Sequence, residues 1–214
     1  MKLNVKFIRG GAYKPRTSPY SFQGLGLEGL KIIDAIRKKY NLLAVSEIVD
    51  LRDIESGIQY IDIIQIGLRN MHNYSLLKEV GKINHPVLLK RGMMFTVDEL
   101  LYAAEYIAFN GNENIILCER GIHTFDNSTR CTLDLSCVCI IKNYMSIPVI
   151  VDLSHSLGRK DIISLAAKGV LASGADGIML EVCPNPSAAL SDSNQQLDIN
   201  QFHTFLNSIN YINT

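Results

Sequence analysis

Short runs of Ile, Val and Leu recur along the chain, separated by longer stretches in which apolar residues fall at every third or fourth position. Seven of the short runs read as strands: LNVKFIR at 3–9, LAVSEI at 43–48, YIDIIQI at 60–66, PVLLK at 86–90, NIILCE at 114–119, PVIVDL at 148–153 and DGIMLE at 176–181. They are nearly continuous in hydrophobicity, as a parallel sheet buried on both faces requires. The longer stretches read as helices. Leu27, Leu30, Ile33, Ile36 and Tyr40 recur at helical spacing, with Lys and Arg between them. Thr96-Val-Asp-Glu99 has the form of a capping box, and Gly111 stands after the apolar run 100–109 as a stop. A further helix is expected from Asp161 to Ser173, ending at Gly174. Asp198 is expected to cap a last one carrying Phe202, Phe205, Leu206 and Ile209.

Strands alternating with helices predict an α/β fold, either a doubly wound sheet or a (β/α)8 barrel. No linker or low-complexity tract divides the sequence, so residues 1–214 are expected to form one domain. The polar residues favour the barrel. Nearly every strand ends in a charged or hydrogen-bonding residue: Arg9 with Lys14 and Arg16, Glu47, Gln65 with Arg69, Lys90, Glu119 with Arg120, Asp152 with His155, and Glu181. A barrel delivers all its strand C-termini to one face, where active sites are built, whereas an open sheet uses the ends of a few strands at a switch point. Seven strands are one short of a closed barrel, so a barrel without its first strand and helix is expected.

Charge sharpens this picture. The chain carries 21 basic and 21 acidic residues, which gives no general attraction to nucleic acid or an anionic membrane. Yet Arg9, Lys14, Arg16, Arg69, Lys90 and Arg120 fall together at strand ends. Guanidinium and ammonium groups hold phosphate and carboxylate by charge-assisted hydrogen bonds, so substrates with several negative charges are expected. Gly10, Gly11, Gly67, Gly92 and Gly121 follow four of these strands and are expected to let backbone N–H groups approach a phosphate. His155, Glu181 and Asp192 lie at or beyond the last two strands; one imidazole and two carboxylates suit Mn²⁺, Fe²⁺, Co²⁺ or Zn²⁺. A composition of 47% hydrophobic residues excludes a disordered chain. No apolar run has the length of a membrane span, and the N-terminus lacks the pattern of a signal peptide. Five cysteines without a CxxC pair read as a reduced, cytoplasmic protein, with Cys137 and Cys139 expected as small buried hydrophobes.

The blocks RGGAYKPRTSPYSFQGLG (9–26), QIGLRNM (65–71), PVLLKRGM (86–93), ILCERGIHTF (116–125), VDLSHSLGRKD (151–161) and EVCPNPSAALSD (181–192) follow one family in order. Over essentially its whole length the chain resembles 3-deoxy-D-arabino-heptulosonate 7-phosphate (DAHP) synthase, in the branch related to 3-deoxy-octulosonate 8-phosphate synthase. The resemblance implies a (β/α)8 TIM barrel, a homo-oligomer, and metal-dependent condensation of phosphoenolpyruvate with erythrose 4-phosphate, the first step of the shikimate pathway to aromatic amino acids. It assigns phosphoenolpyruvate to Arg9, Lys14, Arg69, Lys90 and Arg120, the erythrose phosphate to Arg16 and Thr17, and a divalent metal to His155, Glu181 and Asp192. By the same analogy Lys14 exchanges a proton at the reacting centre, and Glu47, paired with Lys90, orients the attacking water. The family's first strand carries an Ala-Gly-Pro-Cys motif whose Cys is a fourth metal ligand. That motif falls in the segment expected to be missing, and Cys183 is a candidate substitute. The chain departs from the family pattern at Leu68, His123, Leu153 and Cys183. Two other readings stay open: a pseudoenzyme or fragment that binds phosphorylated ligands without chemistry, and 3-deoxy-octulosonate 8-phosphate synthase, against which the KPRTS stretch argues.

Overall fold

A computed structural model describes residues 5–209. They fall into two compact units, the first formed by residues up to 90 with 96–116, the second by 91–95 with 117 onward.

The first unit runs β1 (Phe7–Arg9), α1 (Leu27–Tyr40), β2 (Leu43–Glu47), α2 (Ile54–Gly57), β3 (Ile63–Ile66), α3 (Tyr74–Gly81), β4 (Val87–Lys90) and α4 (Val97–Phe109). Its strands pair in parallel and in chain order, with Arg9 opposite Val45, Glu47 opposite Gln65 and Ile66 opposite Leu89. Every residue of β3 and β4 is buried, as continuous apolar runs predict. Residues 3 and 4 of the expected first strand lie outside the described residues. On α1 the expected stripe is only partly covered: Leu30 is buried, Ile33 and Ile36 half-buried, Leu27 and Tyr40 exposed. The capping box at Thr96 forms in full, its hydroxyl accepting from the Glu99 amide while the Glu99 carboxylate accepts from the Thr96 amide.

The second unit contains β5 (Ile115–Glu119), whose last three residues pair with β6, then α5 (Leu135–Tyr144), β6 (Val149–Asp152), the short α6 (Leu153–Leu157), α7 (Ile163–Ala172), β7 (Gly177–Met179) and α8 (Ile199–Ser208). β5, β6 and β7 are again parallel. Asp198 caps α8 in a second capping box with Gln201, and Phe205 and Leu206 are buried beneath it. Asp161 does not cap α7. Its carboxylate is held by Arg159, two residues away, and Ile162 occupies the cap position without a side-chain bond. Cys137 is buried but Cys139 is exposed. Both lie on α5, and two residues along a helix turn the side chain by roughly 200°, so only one can face the core.

One device recurs in both units. Asp62, just before β3, accepts the Ala44 amide of β2 at 2.7 Å and the Arg37 guanidinium of α1 at 2.6 Å. Asp176, just before β7, accepts the Val149 amide of β6 at 2.7 Å and the Lys142 ammonium of α5 at 2.9 Å. Each Asp thereby registers a strand start against the previous strand and the helix before it. The architecture is α/β, seven parallel strands alternating with helices in the repeat of a (β/α) barrel. No helix among the described residues is long and apolar enough to cross a membrane.

Candidate functional site

In the first unit the strand ends converge on Glu47, the last residue of β2 and only 7% exposed. Parallel register sets Gln65 beside it, and the Gln65 amide donates to Glu47 Oε2 at 3.0 Å. Arg9, at the end of β1, donates from Nε to Gln65 Oε1 at 3.1 Å, and its Nη2 lies 3.9 Å from Glu47 Oε2. Burial pushes the Glu47 carboxyl above its ordinary value, while the charges of Arg9, Lys90 and Arg69 and the Gln65 hydrogen bond pull the other way without cancelling it. Lys90, ending β4, is itself buried, whereas Arg69 is exposed in the turn after β3. Four expected site residues are thus brought into one electrostatic neighbourhood. Lys14 and Arg16 lie half-buried in the loop after β1. The Lys14 amide bonds the Gln23 carbonyl, and Arg16 Nε donates to the Phe22 carbonyl at 3.3 Å. Thr17 is exposed on the same loop.

Gly10, Gly67 and Gly121 serve a different purpose from the one their positions suggest. The Gly10 amide is spent on the Val45 carbonyl, and the Gly121 amide on Glu119 Oε1 at 2.6 Å, so neither is held ready for a phosphate. Gly67 is a matter of space, because a Cβ there would come within 1.9 Å of Glu47 Oε1. The carboxylate rests where a side chain would stand.

In the second unit Arg120, one residue past β5, is 1% exposed. Its Nη1 donates to the Cys131 sulfur and its Nη2 to the His155 carbonyl, both at 3.1 Å, while its buried Nε has no hydrogen-bond partner among the described residues. A buried guanidinium with a donor unspent is suited to an anionic ligand.

His155, Glu181 and Asp192 form a group in this unit whose ligand atoms lie within 4.8 Å of one another. Asp152, fully buried at the end of β6, accepts the His155 amide at 3.0 Å and holds the ring Nδ1 at 2.8 Å. This turns Nε2 toward Glu181, whose Oε1 is 3.5 Å away. Glu181 stands just after β7, its amide bound to the Ser154 hydroxyl, and Asp192 sits on a left-handed backbone at φ 57°. Burial raises the Asp192 carboxyl, but the Arg130 hydrogen bond and the charges of His155 and Arg130 outweigh it, leaving the group below its ordinary value. An imidazole fixed through its other nitrogen and two carboxylates, in this proximity, fit a divalent cation. Cys183 stands outside this group, half-buried, with its amide on the Leu197 carbonyl.

The sequence reading passed over several residues that build this region. Arg91, 4% exposed, bonds Glu119 Oε2 at 3.0 Å, Asp134 Oδ2 at 2.7 Å and the Phe95 carbonyl at 3.0 Å. Arg130 bonds Asp192 Oδ1 at 3.2 Å and Gln195 Oε1 at 3.0 Å, and Gln195 donates to Glu181 Oε2 at 2.7 Å. Only the Lys-Arg and Glu-Arg doublets at strand ends hinted that one charge of each pair is structural.

Comparison with known proteins agrees with these features. The family model described as the DAHP synthetase I family matches residues 1–213. The chain is 52% identical over 201 residues to the phospho-2-dehydro-3-deoxyheptonate aldolase of Thermotoga maritima, covering 94% of this chain and 60% of that protein. The crystal structure of the Thermotoga maritima DAHP synthase is similar with a TM-score of 0.92 at 48% identity, covering 97% of this chain and 60% of that one. A 2-dehydro-3-deoxyphosphooctonate aldolase of Acidithiobacillus ferrooxidans is 25% identical over 225 residues, covering 99% of this chain and 79% of that protein. The chain therefore spans about 60% of the length of the Thermotoga relative.

Proposed function

Because the chain belongs to the DAHP synthetase I family, we propose that it condenses phosphoenolpyruvate with erythrose 4-phosphate to give DAHP and inorganic phosphate. The observation that carries this reading is the bond from Arg120 to the His155 carbonyl, which ties an anion-seeking buried guanidinium to the backbone of a metal-ligating histidine. The reaction needs that combination: a polyanionic substrate held beside a centre that activates an aldehyde.

Arg120, with Arg9, Lys14, Arg69 and Lys90, holds the phosphate and carboxylate of phosphoenolpyruvate, and Arg16 and Thr17 take the phosphate of the aldehyde substrate. His155, Glu181 and Asp192 hold a divalent ion, which supplies Lewis-acid polarisation of the aldehyde oxygen. The methylene carbon of phosphoenolpyruvate attacks the aldehyde carbon, and positive charge develops at its C2. Water adds at C2 and phosphate departs with cleavage of the C–O bond. Glu47, whose carboxyl burial holds above its ordinary value, suits the task of orienting that water and taking a proton from it. Lys14 and Lys90 balance the charge, and Lys14 exchanges a proton with the new alkoxide. Fixing two anions replaces a collision of like charges with an oriented pair.

The 52% identity to the heptulosonate enzyme against 25% to the octulosonate enzyme favours the four-carbon aldehyde. The same likeness supports homo-oligomeric assembly, a single catalytic barrel domain and action in the cytoplasm as parts of this proposal. The test is product formation with added Mn²⁺ from each candidate aldehyde, scored by release of inorganic phosphate. Turnover with erythrose 4-phosphate alone is expected. Calorimetric binding of phosphoenolpyruvate without turnover would instead favour a protein that binds phosphorylated ligands without chemistry.

A further inference from the structure

Each of the three candidate ligands has a side-chain polar atom tied by a neighbouring residue. Asp152 holds His155 Nδ1 at 2.8 Å, Arg130 holds Asp192 Oδ1 at 3.2 Å, and Gln195 holds Glu181 Oε2 at 2.7 Å. Gln195 joins two of these ties. Its Nε2 donates to Glu181 and its Oε1 accepts from Arg130 Nη1 at 3.0 Å, the same nitrogen that reaches Asp192. The amide cannot be turned round, because a carboxylate only accepts and a guanidinium only donates. Gln195 is 4% exposed, whereas the Arg130 side chain is 45% exposed and open to screening by water.

We propose that Gln195 is a positioning residue for metal binding. It occupies Glu181 Oε2, leaves Oε1 to face His155 Nε2, and couples the Glu181 carboxylate to Asp192 through Arg130. The assignment rests on the metal reading given above. It follows that a hydrophobic side chain of similar length at 195 frees Glu181 to rotate and presents an ion with a mixture of carboxylate geometries. Loss of an outer tie of this kind typically weakens metal affinity by about 10- to 100-fold.

The test uses the whole chain and Co²⁺, whose visible absorption reports the geometry of its ligands. The dissociation constant is read by competition with a chromophoric chelator, for the native chain, Gln195→Leu and the milder Gln195→Asn, which keeps an amide but withdraws it by one methylene. Metal-free thermal melting identifies any variant that fails to fold, and Gln195→Asn decides the matter should Gln195→Leu be one. The expected result is a dissociation constant raised about 10- to 100-fold with a changed Co²⁺ spectrum. A folded variant that binds within about twofold of the native chain, against the ten- to hundredfold expected of an outer tie, would overturn the proposal. So would weaker binding with an unchanged spectrum, which marks a merely structural role. Failure of the native chain itself to bind Co²⁺ would instead overturn the metal site on which the assignment stands.

Discussion

Glu47 shows how a single residue acquires chemistry from its surroundings. Its position at the buried end of β2 places it out of water, and Gly67 leaves room for the carboxylate against the backbone. Burial then raises its titration against the pull of three cations. A group whose folded value lies above its unfolded one contributes stability that is fully present below the unfolded value, here the ordinary 4.5, and lost as the pH rises through the folded one. The stability of Glu47→Gln relative to the native chain should therefore grow as the pH is raised from about 4 to 7. Urea denaturation of both proteins across that range checks it, and a difference independent of pH would mean that the cations compensate burial fully.

At the scale of elements, the paired Asp62 and Asp176 devices do what the strands, three to five residues long, cannot do alone. Apolar runs slide easily past one another; a carboxylate that accepts one particular backbone amide holds the register. The Asp176 carboxyl is lowered because the Val149 amide and the Lys142 charge outweigh the burial that raises it. Its contribution is thus present above the ordinary value of 3.8 and fades as the pH falls through the lower, folded one. Asp176→Ala leaves the Val149 amide without its acceptor and should cost about 1–3 kcal/mol at neutral pH. Asp176→Asn keeps an acceptor and loses only a half-exposed ion pair, worth about 0–1 kcal/mol. Equal losses in the two variants, measured by chemical denaturation, would assign the role to charge rather than to the backbone bond.

For the whole molecule, a concentrated liability among the described residues is the charge cluster of Arg91, Glu119 and Asp134. The Arg91 and Glu119 side chains are 5% and 0% exposed, and Glu119 also carries the Gly121 amide at the start of the Arg120 loop. Breaking a buried pair by removing one partner leaves the other charge uncompensated and typically costs about 3–5 kcal/mol. Native domains hold only about 5–15 kcal/mol in all. Arg91→Met should therefore bring the chain close to unfolding, read as a large fall in the denaturation midpoint. Replacing Arg91 and Glu119 together by apolar residues should cost less than the sum of the single changes, because the fully buried Glu119 carboxylate is no longer left unpaired and only the partly exposed Asp134 loses its cation.

The sequence by itself determined the periodic part of this protein. Seven apolar runs became parallel strands within a few residues of where hydrophobicity placed them, and the capping boxes at Thr96 and Asp198 formed as their spacing required, because these interactions join neighbours along the chain. The polar residue at each strand end was visible for the same reason, and the family pattern in the KPRT and SHSLGRKD blocks supplied its meaning. Tertiary structure decided what each polar group does. Lys90 and Arg91 are adjacent and equally buried, yet Lys90 acts on Glu47, while Arg91 is consumed by Glu119 and Asp134. Gln195 and Arg130 carry no local signature, since their partners lie 14 and 62 residues away. Which cysteine of α5 is buried, and that Gly67 exists to make room for a carboxylate, likewise depend on packing partners distant in sequence. Burial and charge are properties of a neighbourhood, and the neighbourhood exists only once the chain has folded.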